Sequence, residues 1–182
     1  MLRQRPVTVT LVTVICGVYL WQLLDPNVIT RFALTPWAYL QQTNEWYRLF
    51  TVALVHDQSS TLPIHLAFNM LALYQLGLQL EQLLGRNRFL IIFFTSLLTG
   101  SLLSSYLAPL NSISIGASGA VFGLFGAIAV VGKRIGADIK GVIGIVVLNF
   151  LLGFTVGGVD WHAHLGGLIG GAAISSLLIK RR

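Results

Sequence analysis

Residues 89–132 are 44 consecutive positions without an Asp, Glu, Lys or Arg. A helix needs roughly 20 apolar residues to cross the hydrocarbon of a bilayer, so a run of this length implies two crossings with a reversal between them. The segment Ala-Pro-Leu-Asn-Ser at 108–112 is the place for that reversal, because Pro109, Asn111 and Ser112 all suit a turn. Uncharged windows also cover 6–24, 58–80, 141–159 and 161–179, which brings the expected number of spans to six. They are predicted at about 7–24, 63–81, 88–108, 117–132, 141–158 and 162–179. Mean hydropathy is +0.78 and only 10% of residues are charged, against about a quarter in ordinary soluble domains. The expected fold class is therefore all-α: a polytopic membrane protein forming one compact six-helix bundle over 1–182, with chemistry confined to side chains on or between the helices.

The formal charge of +6 invites a nucleic-acid reading, but the distribution of the charges argues for topology instead. Arg3, Arg5, Arg86, Arg88, Lys133, Arg134, Lys140, Lys180, Arg181 and Arg182 all fall on one side of a six-span bundle, and only Arg31 and Arg48 fall on the other. Short loops rich in Lys and Arg stay inside, so both termini are predicted to be cytoplasmic and no nucleic-acid partner is expected. The first span follows basic residues without a convincing small-residue cleavage site, so it is expected to be retained. The short tails fit a prokaryotic plasma membrane. Cys16, the lone cysteine, reads as a packing residue of the first span.

With this topology each even-numbered span begins near the external face, and each begins with polar residues. The second carries His65 and Asn69, four apart on one helix face; the fourth opens on Ser118; the sixth opens on Asp160, His162 and His164. Polar side chains are costly in a bilayer and mark interior sites or cavities. Gly119 and Gly123 on the fourth span, and Gly167 and Gly171 on the sixth, repeat every four residues. Such stripes let helix backbones approach closely, which would bring Ser118 and His164 to the same end of one contact. A serine hydroxyl becomes a nucleophile when a neutral histidine within about 2.6–3.2 Å takes its proton. The tetrahedral intermediate then needs donors at its oxyanion, for which the backbone N–H of Ser118, the Asn69 amide and His65 are available.

Asp160, at i−4 from His164, is either an orienting acid or a loop charge, and a Ser-His dyad is the simpler reading. His162 and His164 lie two apart and do not share a helix face; the glycine stripe favours His164. No H-E-x-x-H motif occurs and no carboxylate is placed to assist a zinc ion, so neither metal nor cofactor is expected. A transporter is disfavoured because the polar groups gather at one end, while the inner halves of the fourth and sixth spans are apolar and glycine-rich.

"GASGA" with Ser118, "HLAFNM" with His65 and Asn69, and "AHLGG" with His164 together resemble the rhomboid family of intramembrane serine proteases. "EWYRLFT" at 45–51 and "LEQLLGRNRF" at 80–89 are similar to further family segments, and the resemblance covers about residues 7–179. It implies cleavage of a peptide bond in or near a transmembrane segment of a protein substrate by Ser118 and His164, in contact with membrane lipids and near the external face. It also implies oxyanion roles for His65 and Asn69, loop or interface support from Trp46, Arg48 and His56, and lateral substrate entry between the second and fifth spans, with Phe150 and Phe154 as gate candidates. His56 precedes His65 by nine residues, a longer gap than the family's common one. A catalytically silent relative that binds membrane proteins is the alternative. The active protease requires a cavity open to the external side and lined by His65, Asn69, Ser118 and His164.

Overall fold

Helices occupy the uncharged windows, and the breaks fall where charge, Pro or Gly interrupts them. In the computed structural model the described residues are 6–59, 62–155 and 159–179, with backbone alone described at 152–154. Among them the order is α1 Val7–Leu24, α2 Asn27–Phe32, α3 Trp37–Thr43, α4 Arg48–Thr51, a 3-10 turn Val52–Leu54, α5 Ile64–Leu84, α6 Arg86–Leu107, α7 Ser118–Ile135, α8 Lys140–Thr155 and α9 Trp161–Leu178. The six long helices lie on the six windows, although residues 156–158 of the expected fifth span fall outside the described residues.

Among the described residues, three helices are long and apolar enough in their own right to cross a membrane: α1, α6 and α7. The expectation of six such helices is corrected to that extent. The physical reason is composition in two cases and length in the third. α5 carries His65, Asn69, Gln75 and Gln79, and α9 carries His162, His164 and four glycines. α8 has 16 residues, about 24 Å of helix, short of the roughly 30 Å hydrocarbon.

Charged residues tie the ends together. Glu81 near the end of α5 accepts from the Val7 N–H at 2.7 Å, the Thr8 N–H at 3.0 Å and the Thr8 hydroxyl at 2.8 Å, satisfying orphan donors at the positive end of α1. In sequence Glu81 reads as a structural partner of Arg86 or Arg88 or as a cap, and the fold makes it a cap for the start of α1. Lys133 and Arg134 extend α7 to Gly136, whose left-handed conformation ends it. Arg134 donates to the carbonyls of Ser176, at 2.9 Å, and Ile179 at the end of α9.

α9 wedges between α6 and α7 with backbone against backbone. A Cβ on Gly167 would collide with the carbonyl oxygen of Gly119, one on Gly171 with that of Gly123, and one on Gly166 would lie 2.5 Å from the Thr99 carbonyl oxygen. Phe89, Leu73, Leu80, Ile92 and Leu124 are fully buried in the surrounding core. α8 is peripheral by comparison, and its Ile143, Ile145, Val147, Leu148 and Leu151 are exposed. Between α1 and α5 the short helices are strapped down by buried Arg48, which donates to the carbonyls of Thr30 and Ala33, both at 2.8 Å, and to Glu45 at 2.8 Å. That bond holds the partly exposed Glu45 carboxyl below its usual range.

Candidate active site

Ser118 is the first residue of α7. The segment leading to it is held by backbone bonds on two sides: Leu34 and Ser114 exchange N–H···O bonds of 2.9 Å each, and the Gly116 N–H donates to the Val52 carbonyl at 2.9 Å. The chain then turns at Gly116, where φ is +111°, a conformation that L side chains rarely adopt. First-turn N–H groups have no intrahelical acceptor. The Ser118 N–H is thus an available donor at the head of the helix.

Two histidines flank this turn. His56 is completely buried, and its Nε2 accepts from the Ala117 N–H at 3.4 Å. Its own peptide is clasped by Gln22 of α1, which donates to the His56 carbonyl at 2.5 Å and accepts from the His56 N–H at 3.1 Å. Burial, with His65 nearby, pushes the His56 imidazole down to about 3, keeping it a neutral acceptor. His65 Nδ1 accepts from the Asp57 N–H at 3.2 Å, which assigns the ring proton to Nε2. A Cβ on Gly116 would lie 2.8 Å from His65 Nε2, so this ring edge abuts the turn. Asn69 is buried and donates one amide hydrogen to the His65 carbonyl at 2.9 Å, leaving its second N–H.

His164 is buried and lies flat on Phe122, with ring centroids 4.0 Å apart and planes 7° apart. Phe122 is one helical turn beyond Ser118, so the stack sets His164 against the face of α7 that begins with the serine. His164 Nδ1 is buried without a hydrogen-bond partner. No hydrogen bond joins Ser118 to His164; catalytic hydrogen bonds are often long in ligand-free sites and tighten on the substrate. His162 lies elsewhere, against Trp161 at 3.8 Å between centroids and 3.7 Å from Asp160. Among the described residues no three His, Cys, Asp or Glu side chains are grouped to hold a metal ion.

Asp160 is neither an orienting acid for His164 nor a solvated loop charge. Its Oδ2 accepts from Ser104 at 2.5 Å and Ser114 at 2.6 Å, and its Oδ1 accepts from the Ala163 N–H at 3.0 Å, capping α9. The cavity that reaches Ser118 is about 10 Å³ and is lined by Leu34, Val52, Leu97, Ser101, Ser114, Gly116, Gly119 and Ala163. His65, Asn69 and His164 do not border this small cavity. His164 is stacked on Phe122, the His65 ring edge abuts Gly116, and the Asn69 amide is bonded to the α5 backbone. At this volume the cavity is on the scale of a single water.

Trp46 sits farther out, partly exposed, bonded to Asn44 at 2.7 Å and edge-on to Trp37 at 5.3 Å. Phe150 of α8 meets Phe122 edge-on at 5.6 Å and His164 edge-on at 6.5 Å, whereas the Phe154 side chain falls outside the described residues. Sequence reasoning missed Phe122, Gln22, Ser104 and Ser114. Only Phe122 carried a local signal, its i+4 spacing from Ser118; the others act across 34 or more residues.

The family model for the Rhomboid domain matches residues 43–181. The rhomboid protease GluP of Bacillus subtilis is 40% identical over 135 residues, covering 70% of this chain but only 25% of GluP. YdcA of the same organism is 33% identical over 143 residues, 76% of this chain and 70% of that protein. RHOMBOID-like protein 6, mitochondrial, of Arabidopsis thaliana is 31% identical over 162 residues, 85% of this chain and 51% of its own length.

Proposed function

The chain belongs to the rhomboid family, and from that premise we propose that it is an intramembrane serine endopeptidase. It hydrolyses peptide bonds in or near transmembrane segments of membrane proteins. In this reading all six long helices cross the bilayer as one domain over 1–182, both termini are cytoplasmic, and the site lies near the external face of a prokaryotic plasma membrane. The observation that supports it is His164 stacked on Phe122, one turn beyond Ser118 at the head of α7, where α7 and α9 meet glycine to glycine.

The chemistry follows from these positions. His164 takes the Ser118 proton as Oγ attacks the scissile carbonyl, and the negative charge that develops meets the Ser118 N–H, the free Asn69 N–H and the His65 Nε2–H. Collapse of the intermediate passes the proton from His164 to the leaving amine. Water from the external side, activated by the same imidazole, then releases the acid and restores Ser118. The substrate helix enters between α5 and α8, beside Phe150. No step requires a cofactor.

The test is cleavage of a tagged single-span substrate in liposomes by the purified protein, beside Ser118→Ala and His164→Ala, with a chelator control. Each substitution should abolish cleavage, a loss of at least about 10³-fold, without unfolding the protein, and the chelator should have no effect. Activity that survives Ser118→Ala would remove the nucleophile from this account. A folded parent inert toward a panel of such substrates would favour a silent binding protein.

A further inference from the structure

Asp160 stands four residues before His164, yet none of its carboxylate hydrogen bonds goes to that imidazole. Its three donors come from separate pieces of the fold: Ser104 from the last turn of α6, Ser114 from the segment leading into Ser118, and the Ala163 N–H from the first turn of α9. Ser114 is four residues before the nucleophile, and its backbone is fixed by Leu34. Ala163 directly precedes His164. One carboxylate is thus bonded both to the segment that leads to the serine and to the helical turn that carries the histidine. Ser104, buried to 1% exposure, supplies a fixed point for both.

A cap alone would not need this arrangement, since the Ala163 N–H is satisfied by a single oxygen. Two hydroxyls and an amide converging on one side chain require a group with two acceptor oxygens, and bonds to an ionised acceptor are the stronger kind. We propose that Asp160 is a positioning residue that sets the spacing of Ser118 and His164 by clamping the segment before α7 to the first turn of α9. The proposal rests on the dyad reading above. Asp160 touches no reacting atom, so its loss should reduce turnover and leave substrate affinity in place.

The experiment compares the full-length parent with Asp160→Ala, Asp160→Asn, Ser114→Ala and the Asp160→Ala/Ser114→Ala double variant. For each, the rate of Ser118 labelling by a small fluorophosphonate, kcat and KM on a single-span substrate, and the melting temperature are measured. Asp160→Ala should slow labelling and lower kcat by about 30–100-fold, the scale of a misplacement near 1 Å, with KM within about 2-fold. Ser114→Ala should cost about 10-fold, and the double variant should be no slower than Asp160→Ala, because both remove the same clamp. Asp160→Asn should recover part of the loss, since one oxygen still caps Ala163 and the amide can donate to a serine hydroxyl.

An Asp160→Ala chain with parental kcat would overturn the proposal, as would losses that multiply in the double variant. If Asp160→Ala fails to fold, Ser114→Ala decides, and parental kcat there overturns the proposal equally. A parent that neither labels nor cleaves overturns the dyad reading and the clamp with it. A parent that labels beside unaffected variants overturns the clamp alone.

Discussion

α8 and α9 are apolar helices of 16 and 18 residues, and both are rich in glycine, yet they use it in opposite ways. In α9 the glycines remove side chains where two other helices need to come close, and a Cβ at Gly167 or Gly171 would strike a carbonyl oxygen of α7. In α8, Gly141 and Gly144 face nothing within 4 Å, and five aliphatic side chains point outward. Glycine lowers helix propensity in both. Only in α9 does the close approach offset that penalty, and α9 is the helix that carries His164. Ser118 and His164 thus sit on the tightly packed part of the molecule, while α8 lies on its loosely packed edge.

The comparison breaks most visibly at Gly167. Gly167→Leu should cost more than about 3 kcal/mol, because the helices have to part before the new side chain fits. The readout is loss of monodisperse, cooperatively melting protein; a parental melting temperature would mean that α7 and α9 are not in backbone contact. Acid should act on the same part of the molecule through His56. Its imidazole ordinarily titrates near 6.5 and is held at about 3 in the fold, so its contribution to stability is complete above 6.5 and is lost as pH falls toward 3. By linkage, stability should drop on the order of 2–3 kcal/mol between pH 7 and pH 4, and His56→Gln should flatten that pH dependence. An unchanged slope in the variant would assign acid sensitivity to other groups. The smallest effect is expected on α8, where Gly144→Ala meets open space and should be neutral or stabilise by at most about 1 kcal/mol. A clear fall in melting temperature there would show that this face of α8 is packed after all.

Sequence periodicity located the helices and the polar clusters because both are local properties. An uncharged window, the i+4 pair His65 and Asn69, and glycines four apart are visible in any stretch of chain. Three features were not legible. α5, α8 and α9 are less able to cross a bilayer alone than their windows suggested, since polar site residues and short length both count against them. The grip of Gln22 on the His56 peptide joins residues 34 positions apart with no periodic signature. The clamp made by Asp160 has no local signature, since its serine partners are 46 and 56 residues upstream.

The wedge formed by α9 also sets an order in time. Synthesis runs from the N-terminus, so α6 and α7 emerge before the helix that fits between them, and Ser118 exists in the nascent chain before His164 does. Until α9 arrives, Ser118 has no His164 and the glycine faces of α6 and α7 have no α9 to pack against. Under the proposed mechanism a half-made chain is chemically inert, and the step that completes the bundle is also the step that arms it.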